Sequence, residues 1–233
     1  MKDPGSPSSI LTPVHPAGWP FIAVFFVVAV ILGFVWMPLF WVGLLLTGWC
    51  VYFFRDPPRT TVDDPHVVTS PADGMVQHTG ARVPPPELEM GDRPLPCVGV
   101  FMNVFDVHVN RTPVIGRIAR RAYHKGRFLN ASLDKASDEN ERQSFRIAMD
   151  DGRDVGLVQI AGLVARRIIA FRGEGDELHA GERVGLIRFG SKCDIYLPEG
   201  TVPLVLPGQR AIAGETVIAR LDGGQTGRRG RTS

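Results

Sequence analysis

The distribution of apolar positions divides the chain into two regions. From Trp19 to Phe54 nearly every residue is apolar, and no Asp, Glu, Lys or Arg occurs between Asp3 and Arg55. Beyond Arg55 the apolar residues come in short runs, separated by Gly, Pro and charged residues. The first pattern predicts membrane helices, and the second predicts a soluble domain built from short strands.

The apolar run contains 36 residues, more than the roughly 20 that one bilayer-spanning helix needs. Pro38 disfavours a continuous helix, so we expect two short helices, 19–36 and 38–54, that form a transmembrane hairpin. A single long tilted span is the alternative. Residues 1–18 form a separate polar, Pro-rich segment. All four tryptophans of the chain lie in the apolar run, where they suit the interfaces of a bilayer.

Arg55 and Arg59 follow the apolar run directly. Because basic residues that flank a span favour the cytoplasmic side, we expect the hairpin in the cell (inner) membrane and the soluble domain, residues 55–221, in the cytoplasm. The last residues, 222–233, are rich in Gly and Arg and are expected to form a disordered basic tail. A net charge of +2 is too small to indicate nucleic acid as a partner.

Nine β-type segments are predicted in the soluble part, at spacings of about 8 to 12 residues. They are residues 74–79, 97–110, 114–123, 144–149, 155–161, 166–171, 183–189, 192–197 and 211–220. Turn signals such as PADG at 71–74 and DDG at 150–152 separate them. The expected fold class is therefore mainly β: a barrel-sandwich-like domain of short antiparallel strands, preceded by the helical hairpin.

The cysteines do not indicate a disulfide framework or a structural zinc site. Cys50, Cys97 and Cys193 are odd in number and contain no CxxC pair. None of the six histidines forms a convincing ligand set either, so we expect no metal.

The stretch FMNVFDVHVNR at 101–111 contains the first group of residues that could carry chemistry. If it is one strand, Asp106, His108 and Asn110 share a face. A carboxylate two residues from an imidazole can orient or charge the ring. The same alternation also suits the polar face of an edge strand with only structural hydrogen bonds.

Two further motifs are ordinary when taken alone. SPADG at 70–74 suits a turn in which Asp73 accepts backbone hydrogen bonds, although an Asp buried near a His would instead fix its tautomer. Gly190-Ser191 lies between two β-type runs, where a glycine is unfavourable. A strained Gly-Ser bond beside a base can rearrange. The serine oxygen attacks the preceding carbonyl, and elimination then breaks the chain and leaves a group that hydrolyses to pyruvoyl.

Taken together, SPADG at 70–74, FDVHVNRTP at 105–113 and GERVGLIRFGS at 181–191 resemble, in order and spacing, the motifs of phosphatidylserine decarboxylases of the short bacterial and archaeal type. The resemblance covers nearly all of residues 55–205, and the apolar amino-terminal segment also fits. It implies a self-cleaving proenzyme that decarboxylates phosphatidylserine of the bilayer to phosphatidylethanolamine. Cleavage between Gly190 and Ser191 would give a β chain, residues 1–190, and an α chain, residues 191–233, as partners.

The resemblance also implies residue roles. Ser191 would be the nucleophile and the precursor of a covalent pyruvoyl cofactor, which takes the substrate amine and accepts the electrons released with carbon dioxide. His108 would be the general base for Ser191, and Asp73 would orient its imidazole. Asp106 and Asn110 would support the site or contact substrate. No metal is implied.

This chain departs from the longer relatives, which carry a second histidine where Arg111 stands. Either His108 performs both tasks, or another residue takes over cleavage, and His124 and His78 are the reserve candidates. Lys192 follows the cleavage site, where it either offers its charge to the substrate phosphate or carboxylate or is simply solvated. Residues 140–142 also match a family stretch and are expected to give structural support.

Two rival functions fit parts of the same sequence. PADG followed by a strand also resembles barrel-sandwich carrier domains, so a membrane-anchored carrier or binding module without catalysis is the main alternative. Lys125, Lys135 and Lys192 lack the hairpin setting of a modified lysine. A membrane-anchored metallopeptidase would need paired ligands, whereas His108 has no second His two residues away. The sequence is compatible with a homo-oligomer.

Overall fold

The structure is a computed structural model that describes residues 12–126, 140–162, 167–188 and 191–223. The chain divides into two compact units, Met1–Pro58 and Arg59–Ser233. The amino-terminal unit contains the apolar run, and the carboxy-terminal unit contains all three sequence motifs.

Two apolar helices dominate the first unit, α1 (Trp19–Val35) and α2 (Met37–Phe53). Trp36 between them is extended, with φ −161° and ψ 120°, and Pro38 lies in the first turn of α2, where its missing N–H is not needed. The two predicted helices are confirmed, and each ends one residue earlier than expected.

Close packing between the helices makes this pair a hairpin. A Cβ at Gly43 would lie 2.5 Å from the Cβ of Ala29, so α2 approaches α1 where both residues are small. The helical stretch Pro16–Val35 has a mean hydropathy of 2.5 and is long and apolar enough to cross a membrane, whereas α2 is shorter.

The second unit is built from antiparallel strands, thirteen of them within the described residues. They are β1 (Val67–Thr69), β2 (Gly74–Arg82), β3 (Leu95–Met102), β4 (Val109–Arg111), β5 (Gly116–His124), β6 (Arg142–Ala148), β7 (Asp154–Ala161), β8 (Ile168–Ala170), β9 (Glu177–Leu178), β10 (Arg183–Ile187), β11 (Ser191–Tyr196), β12 (Arg210–Ala211) and β13 (Val217–Arg220). The mainly β fold with short antiparallel strands is confirmed.

The strands form three sheets. The largest has the order β12-β2-β3-β11-β7-β6-β5-β9, a second has the order β4-β10-β8, and β1 pairs with β13. Strand β11 lies inside the large sheet and pairs with β3 on one side and β7 on the other, over six residues each. All six residues of β11 are buried, so neither face of this strand meets water.

The two faces of the large sheet are covered differently. The inner face contributes Val100, Met102, Cys193 and Ile195 to the main core. The outer face carries a smaller cluster made by Leu88, Cys97, Val158, Ile160 and Tyr196. Because side chains alternate along a strand, every residue of β11 belongs to one of these two environments.

The predicted strand 97–110 is wrong in one respect, because a turn interrupts it. Strand β3 ends at Met102, and β4 begins only at Val109. Side chains of the intervening residues bond the backbone: Asn103 Oδ1 accepts a hydrogen bond from the Phe105 N–H at 2.8 Å, and Asp106 Oδ2 accepts one from the Asn103 N–H at 2.9 Å. Such local bonds compete with a strand ladder.

A short 3-10 turn, Pro86–Leu88, covers the outer face of the large sheet. Leu88 packs into the outer cluster, and the Glu87 carboxylate accepts hydrogen bonds from Arg142 (3.1 Å from Nη2) and Ser144 (3.2 Å). Burial alone would raise the pKa of Glu87, but the hydrogen bonds and charge of Arg142 outweigh it and lower that pKa below its ordinary value. The ionised carboxylate is therefore the form that the fold stabilises.

We predict that Glu87→Gln lowers the free energy of unfolding at pH 7 by roughly 1–3 kcal/mol, because Arg142 loses its charged partner. A carboxyl group whose pKa is lowered by folding stabilises above its unfolded pKa of about 4.3, and this stability disappears as the pH falls through the folded pKa. The difference in the free energy of unfolding between variant and parent should therefore become smaller below about pH 4. Chemical unfolding of the detergent-solubilised protein measures it.

The control is Glu89→Gln, which alters an exposed ion pair with Arg120 and should cost at most about 1 kcal/mol. A loss for Glu87→Gln that is the same at neutral and acid pH would contradict the electrostatic account.

Candidate active site

Ser191 is the first residue of β11 and is completely buried. It lies opposite Met102 of β3 and Ala161 of β7, and its side chain shares the inner face of the sheet with Cys193 and Ile195. Its Oγ is 3.8 Å from the sulfur of Met102. The hydroxyl therefore points into the interior of the domain and away from the outer face of the sheet.

Main-chain hydrogen bonds join the three sequence motifs, although the motifs are far apart in the chain. The Arg111 N–H donates to the Pro71 carbonyl at 2.9 Å and thereby joins the second motif to the first. The Thr112 N–H donates to the Glu182 carbonyl at 2.8 Å, and the Gly181 N–H donates to the Thr112 carbonyl at 2.9 Å. These bonds join the second motif to the third.

Gly74 makes SPADG more than an ordinary turn. It has a φ of +154°, and a Cβ at this position would lie 2.1 Å from the carbonyl oxygen of Phe101. Only glycine allows so close an approach. The residue therefore fixes the first motif against the end of β3, next to the strand pair that carries Ser191.

His108 is fully buried between the turn and β4. Its Nδ1 lies 3.0 Å from the carbonyl oxygen of Asp106. Because a carbonyl can only accept, Nδ1 of the neutral ring carries the proton and Nε2 has the lone pair. The His108 carbonyl in turn accepts from the Ile187 N–H at 3.3 Å, which ties this residue to β10. A neutral imidazole with its lone pair on Nε2 can act as a base.

The expectation that Asp106 shares a strand face with His108 is wrong. The Asp106 side chain, only 1% exposed, forms an ion pair with Arg210 and accepts the hydrogen bond of the Asn103 N–H. The main-chain carbonyl of Asp106, not its carboxylate, meets the imidazole. The physical reason is the turn at 103–108, which breaks the alternation of side chains that a continuous strand would give.

A buried amide pair extends from the second motif to β7. Gln159 Nε2 donates to Asn110 Oδ1 at 2.7 Å, and Asn110 Nδ2 lies 3.4 Å from the Met102 sulfur, which contacts Ser191. Sequence reasoning found Asn110 but missed Gln159 and Met102. The signal for Gln159 was present, because it is the one amide in the apolar strand VGLVQIA.

Asp73 is held by two partners that the sequence did not predict. Its Oδ2 forms an ion pair with Arg59 at 2.7 Å, and its Oδ1 accepts a hydrogen bond from the Ala213 N–H at 2.8 Å. The carboxylate is thus fixed beside the first motif. Its assignment as the residue that orients His108 stays a prediction.

Arg111 is held by a main-chain partner in the third motif. Its Nη1 donates to the Gly181 carbonyl at 2.8 Å, and the side chain is buried. Arg111 therefore strengthens the connection between the second and third motifs.

Lys192 is neither solvated nor on the same face of β11 as Ser191. Its Nζ lies 3.0 Å from Asp194 Oδ1, and the two side chains are 2% and 1% exposed. The alternative of a solvated lysine is wrong, because alternation along β11 places this side chain on the outer face of the sheet, under the cluster around Leu88.

The two reserve histidines also lie on the outer face. His124 is exposed and stands opposite Arg142, in the cross-strand row that continues through Ile160 to Lys192. His78 stands opposite Gly99 of β3. Directly opposed residues share a face, so neither histidine is on the side of the sheet that carries Ser191.

Asn140 supports the neighbour of Ser191, as expected for the family stretch at 140–142. Its Nδ2 donates to the Ala161 carbonyl at 2.7 Å, and the side chain is fully buried. Gly190 of the expected cleavage site, Lys135 and residues 224–233 of the expected tail lie outside the described residues.

The thiol of Cys193, two residues after Ser191, is not a reactive nucleophile. Burial, and after it the charge of Asp194, raises the pKa of Cys193 well above its ordinary value. This neighbour of Ser191 is therefore a neutral thiol at physiological pH. Within the described part of the chain, no three His, Cys, Asp or Glu side chains are close enough together to hold a metal ion.

We predict that Asp106→Ala destabilises the domain by roughly 1–3 kcal/mol, because it removes the acceptor that closes the turn before His108. Arg210→Ala should cost less than about 1 kcal/mol, since the Arg210 side chain is 64% exposed and the bond from Asn103 to Asp106 persists. Chemical unfolding of the two variants in detergent measures both values. An equal loss of unfolding free energy in the two variants would mean that the stability comes from the ion pair with Arg210 and not from the turn.

Comparison with known proteins finds similarity over most of the chain. Residues 46–219 match the family model described as phosphatidylserine decarboxylase. A curated relative from Paramagnetospirillum magneticum (strain ATCC 700264 / AMB-1), named phosphatidylserine decarboxylase proenzyme, is 55% identical over 218 residues, which cover 94% of this chain and 91% of the relative.

Proposed function

The chain belongs to the phosphatidylserine decarboxylase family, and from this premise we propose that it cuts itself before Ser191 and uses the resulting pyruvoyl group to decarboxylate phosphatidylserine. The enzyme is a carboxy-lyase. Membership of this family argues against the alternative of a carrier or binding module without catalysis. The observation that supports the proposal most strongly is that main-chain hydrogen bonds join the three motifs, the third of which ends in a buried serine at the start of an internal strand.

The surroundings of Ser191 fit such a group. A pyruvoyl group would supply a ketone that takes the substrate amine and accepts the electron pair released with carbon dioxide. An uncharged ketone suits the inner face of β11, where position 191 neighbours the Met102 sulfur and Ala161. Pairing of β11 on both sides would hold this position fixed.

Cleavage would use the Ser191 hydroxyl as its nucleophile. Oγ attacks the carbonyl carbon of Gly190 while a base takes its proton, and the amide becomes an ester as the electron pair moves to the Ser191 nitrogen. Loss of the Ser191 α-proton then expels the Gly190 carboxylate, which ends the β chain. Water adds to the dehydroalanine that remains, ammonia leaves, and the α chain begins with the ketone.

We assign His108 as this base, because it is the histidine of the second motif and is fully buried. Its Nδ1 proton is engaged by the Asp106 carbonyl, so Nε2 of the neutral ring is the atom that can take the Ser191 proton and later return one to substrate. We assign Asp73 to orienting this region, because its carboxylate is fixed by Arg59 and the Ala213 N–H. Arg111 keeps the motifs together.

The substrate is a lipid, and the apolar hairpin suits this task. We propose that α1 and α2 hold the enzyme in the inner membrane and that the catalytic domain, residues 55–221, lies in the cytoplasm, as the basic residues after α2 favour. Acyl chains of phosphatidylserine can then remain in the bilayer while the headgroup reacts. The β and α chains stay associated through β11.

We predict that denaturing mass spectrometry of the purified wild-type protein finds an α chain of 43 residues, 191–233, that begins with pyruvoyl. Ser191→Ala should remain one uncut chain without decarboxylase activity, because it lacks the hydroxyl that attacks Gly190. Ser144→Ala, another buried serine, is the matched control and should be cut normally. A wild-type protein that turns over phosphatidylserine while uncut would refute the proposal.

We also predict that His108→Gln slows the appearance of the α chain by about a hundredfold or more, the usual contribution of a general base. Gln keeps a polar side chain of similar size but cannot take a proton. His124→Gln should be processed at the wild-type rate, because His124 is exposed on the other face of the sheet. The time course of the 43-residue fragment measures both rates, and slow processing only in His124→Gln would reverse the assignment.

A further inference from the structure

We propose that the buried ion pair of Lys192 and Asp194 fixes the register of β11 after the chain has been cut, and thereby keeps the reactive end of the α chain in place. This inference rests on the proposed self-cleavage and goes beyond it, because it gives a positioning role to two residues that do not touch the reacting atoms. The inference is based on the burial of Lys192 and Asp194 and on the residues opposite them in the neighbouring strands.

Cutting the chain removes a constraint on β11. In the intact chain, a short connection links Ile187 at the end of β10 to Ser191, and it joins the second sheet to the large one. After cleavage Ser191 begins a new chain, and chain ends tend to fray unless something holds them. A slip of two residues along the sheet would move position 191 by about 7 Å from its place opposite Met102.

Backbone pairing alone does not prevent such a slip. β11 bonds to β3 and β7 on both sides, but ladder bonds are similar in any register that keeps the faces the same. Side chains must therefore select the register. Lys192 and Asp194 lie on the same strand and keep each other as partners in any register. Selection must therefore come from the space that the neighbouring strands leave for this buried pair, because crowding or separating two buried charges is costly.

Gly99 is the residue of β3 that makes room for the ion pair on the outer face. Asp194 lies opposite Gly99, and a Cβ on Gly99 would come within 2.8 Å of Asp194 Oδ1 and 2.9 Å of Lys192 Cε. The outer-face neighbours of Gly99 along β3 are Cys97 and Phe101. A slip of two residues would place the Asp194 carboxylate opposite one of these larger side chains.

The opposite neighbour, β7, has the same kind of complementarity. Tyr196 lies opposite Gly156, where a Cβ would be 3.2 Å from the Tyr196 Cβ. Lys192 lies opposite Ile160, and Asp194 lies opposite Val158. In the observed register two glycines therefore give room to β11, Gly99 to Asp194 and Gly156 to Tyr196.

Stability alone does not explain a buried ion pair. Replacing such a pair by apolar side chains of similar volume is often neutral or stabilising, whereas a role in fixing register is well attested for buried polar groups. We therefore assign Lys192 and Asp194 as positioning residues. They act on the reaction through the placement of residue 191.

The test compares hydrogen exchange of the β11 amides before and after cleavage. Lys192→Met is made in the wild-type chain, which is cut, and in Ser191→Ala, which stays whole. We expect exchange of the 193–196 amides to rise about tenfold or more in the cut variant, and to stay within about threefold of the parent in the uncut one. Glu87→Gln is the control, because it weakens the outer face of β6 without touching β11.

A second variant covers the case in which a lone buried charge prevents folding. Lys192→Met with Asp194→Leu removes both charges and keeps an apolar volume, and we expect the same contrast between its cut and uncut forms. Decarboxylation of phosphatidylserine in detergent micelles should show kcat reduced about tenfold with KM within about twofold. A general loss of stability, as in Glu87→Gln, would not give this split.

Each outcome decides the question. Equal exchange in the cut and uncut forms, or normal kcat in both variants, overturns the proposal. Failure of both variants to be cut would place the role of the pair before cleavage and also overturns it. If the wild-type protein itself gives no 43-residue fragment, the proposed self-cleavage fails instead, and the two failures are therefore distinguishable.

Discussion

The pairing of β11 with strands on both of its sides is the constraint on which the candidate site depends. All six residues of this strand are paired with β3 on one side and with β7 on the other, so the position of Ser191 is set by main-chain pairing across the large sheet. An internal strand has no free edge, and its backbone donors and acceptors are satisfied within the sheet. A serine placed here is held more firmly than it would be on a surface loop.

The same position makes the polar groups of the interior interdependent. His108, Asn110, Gln159 and Ser191 are all fully buried, and a buried polar group without a partner is costly. The Asp106 carbonyl meets His108, and Gln159 donates to Asn110. These bonds let the domain bury an imidazole and two amide side chains with hydrogen-bond partners inside the protein.

The apolar helices and the three motifs lie in different parts of the chain. The helices α1 and α2 contain the apolar residues that a bilayer requires, whereas the second unit has its own core and holds all three motifs. For an enzyme that acts on a lipid, attachment reduces the search for substrate to two dimensions. In the function proposed above, the hairpin would contribute to the encounter with substrate and the strands to the chemistry.

The sequence by itself determined the elements whose signals are local. The apolar run and Pro38 predicted two helices, the spacing of turns predicted a mainly β domain, and three motifs in order indicated the family, which the comparisons then established. The same motifs predict Ser191, His108 and Asp73 as catalytic residues. Local patterns suffice here because helix length, turn chemistry and motif residues depend on neighbours in the chain.

Only the tertiary structure decided which face and which partner each side chain has. Asp106 was expected beside the imidazole, but turn bonds from Asn103 direct its carboxylate to Arg210. Lys192 turned out to be buried against Asp194, and Gln159 became part of the site through a strand distant in sequence. Such partners are set by strand order and register, and these depend on long-range pairing that no short stretch of sequence encodes.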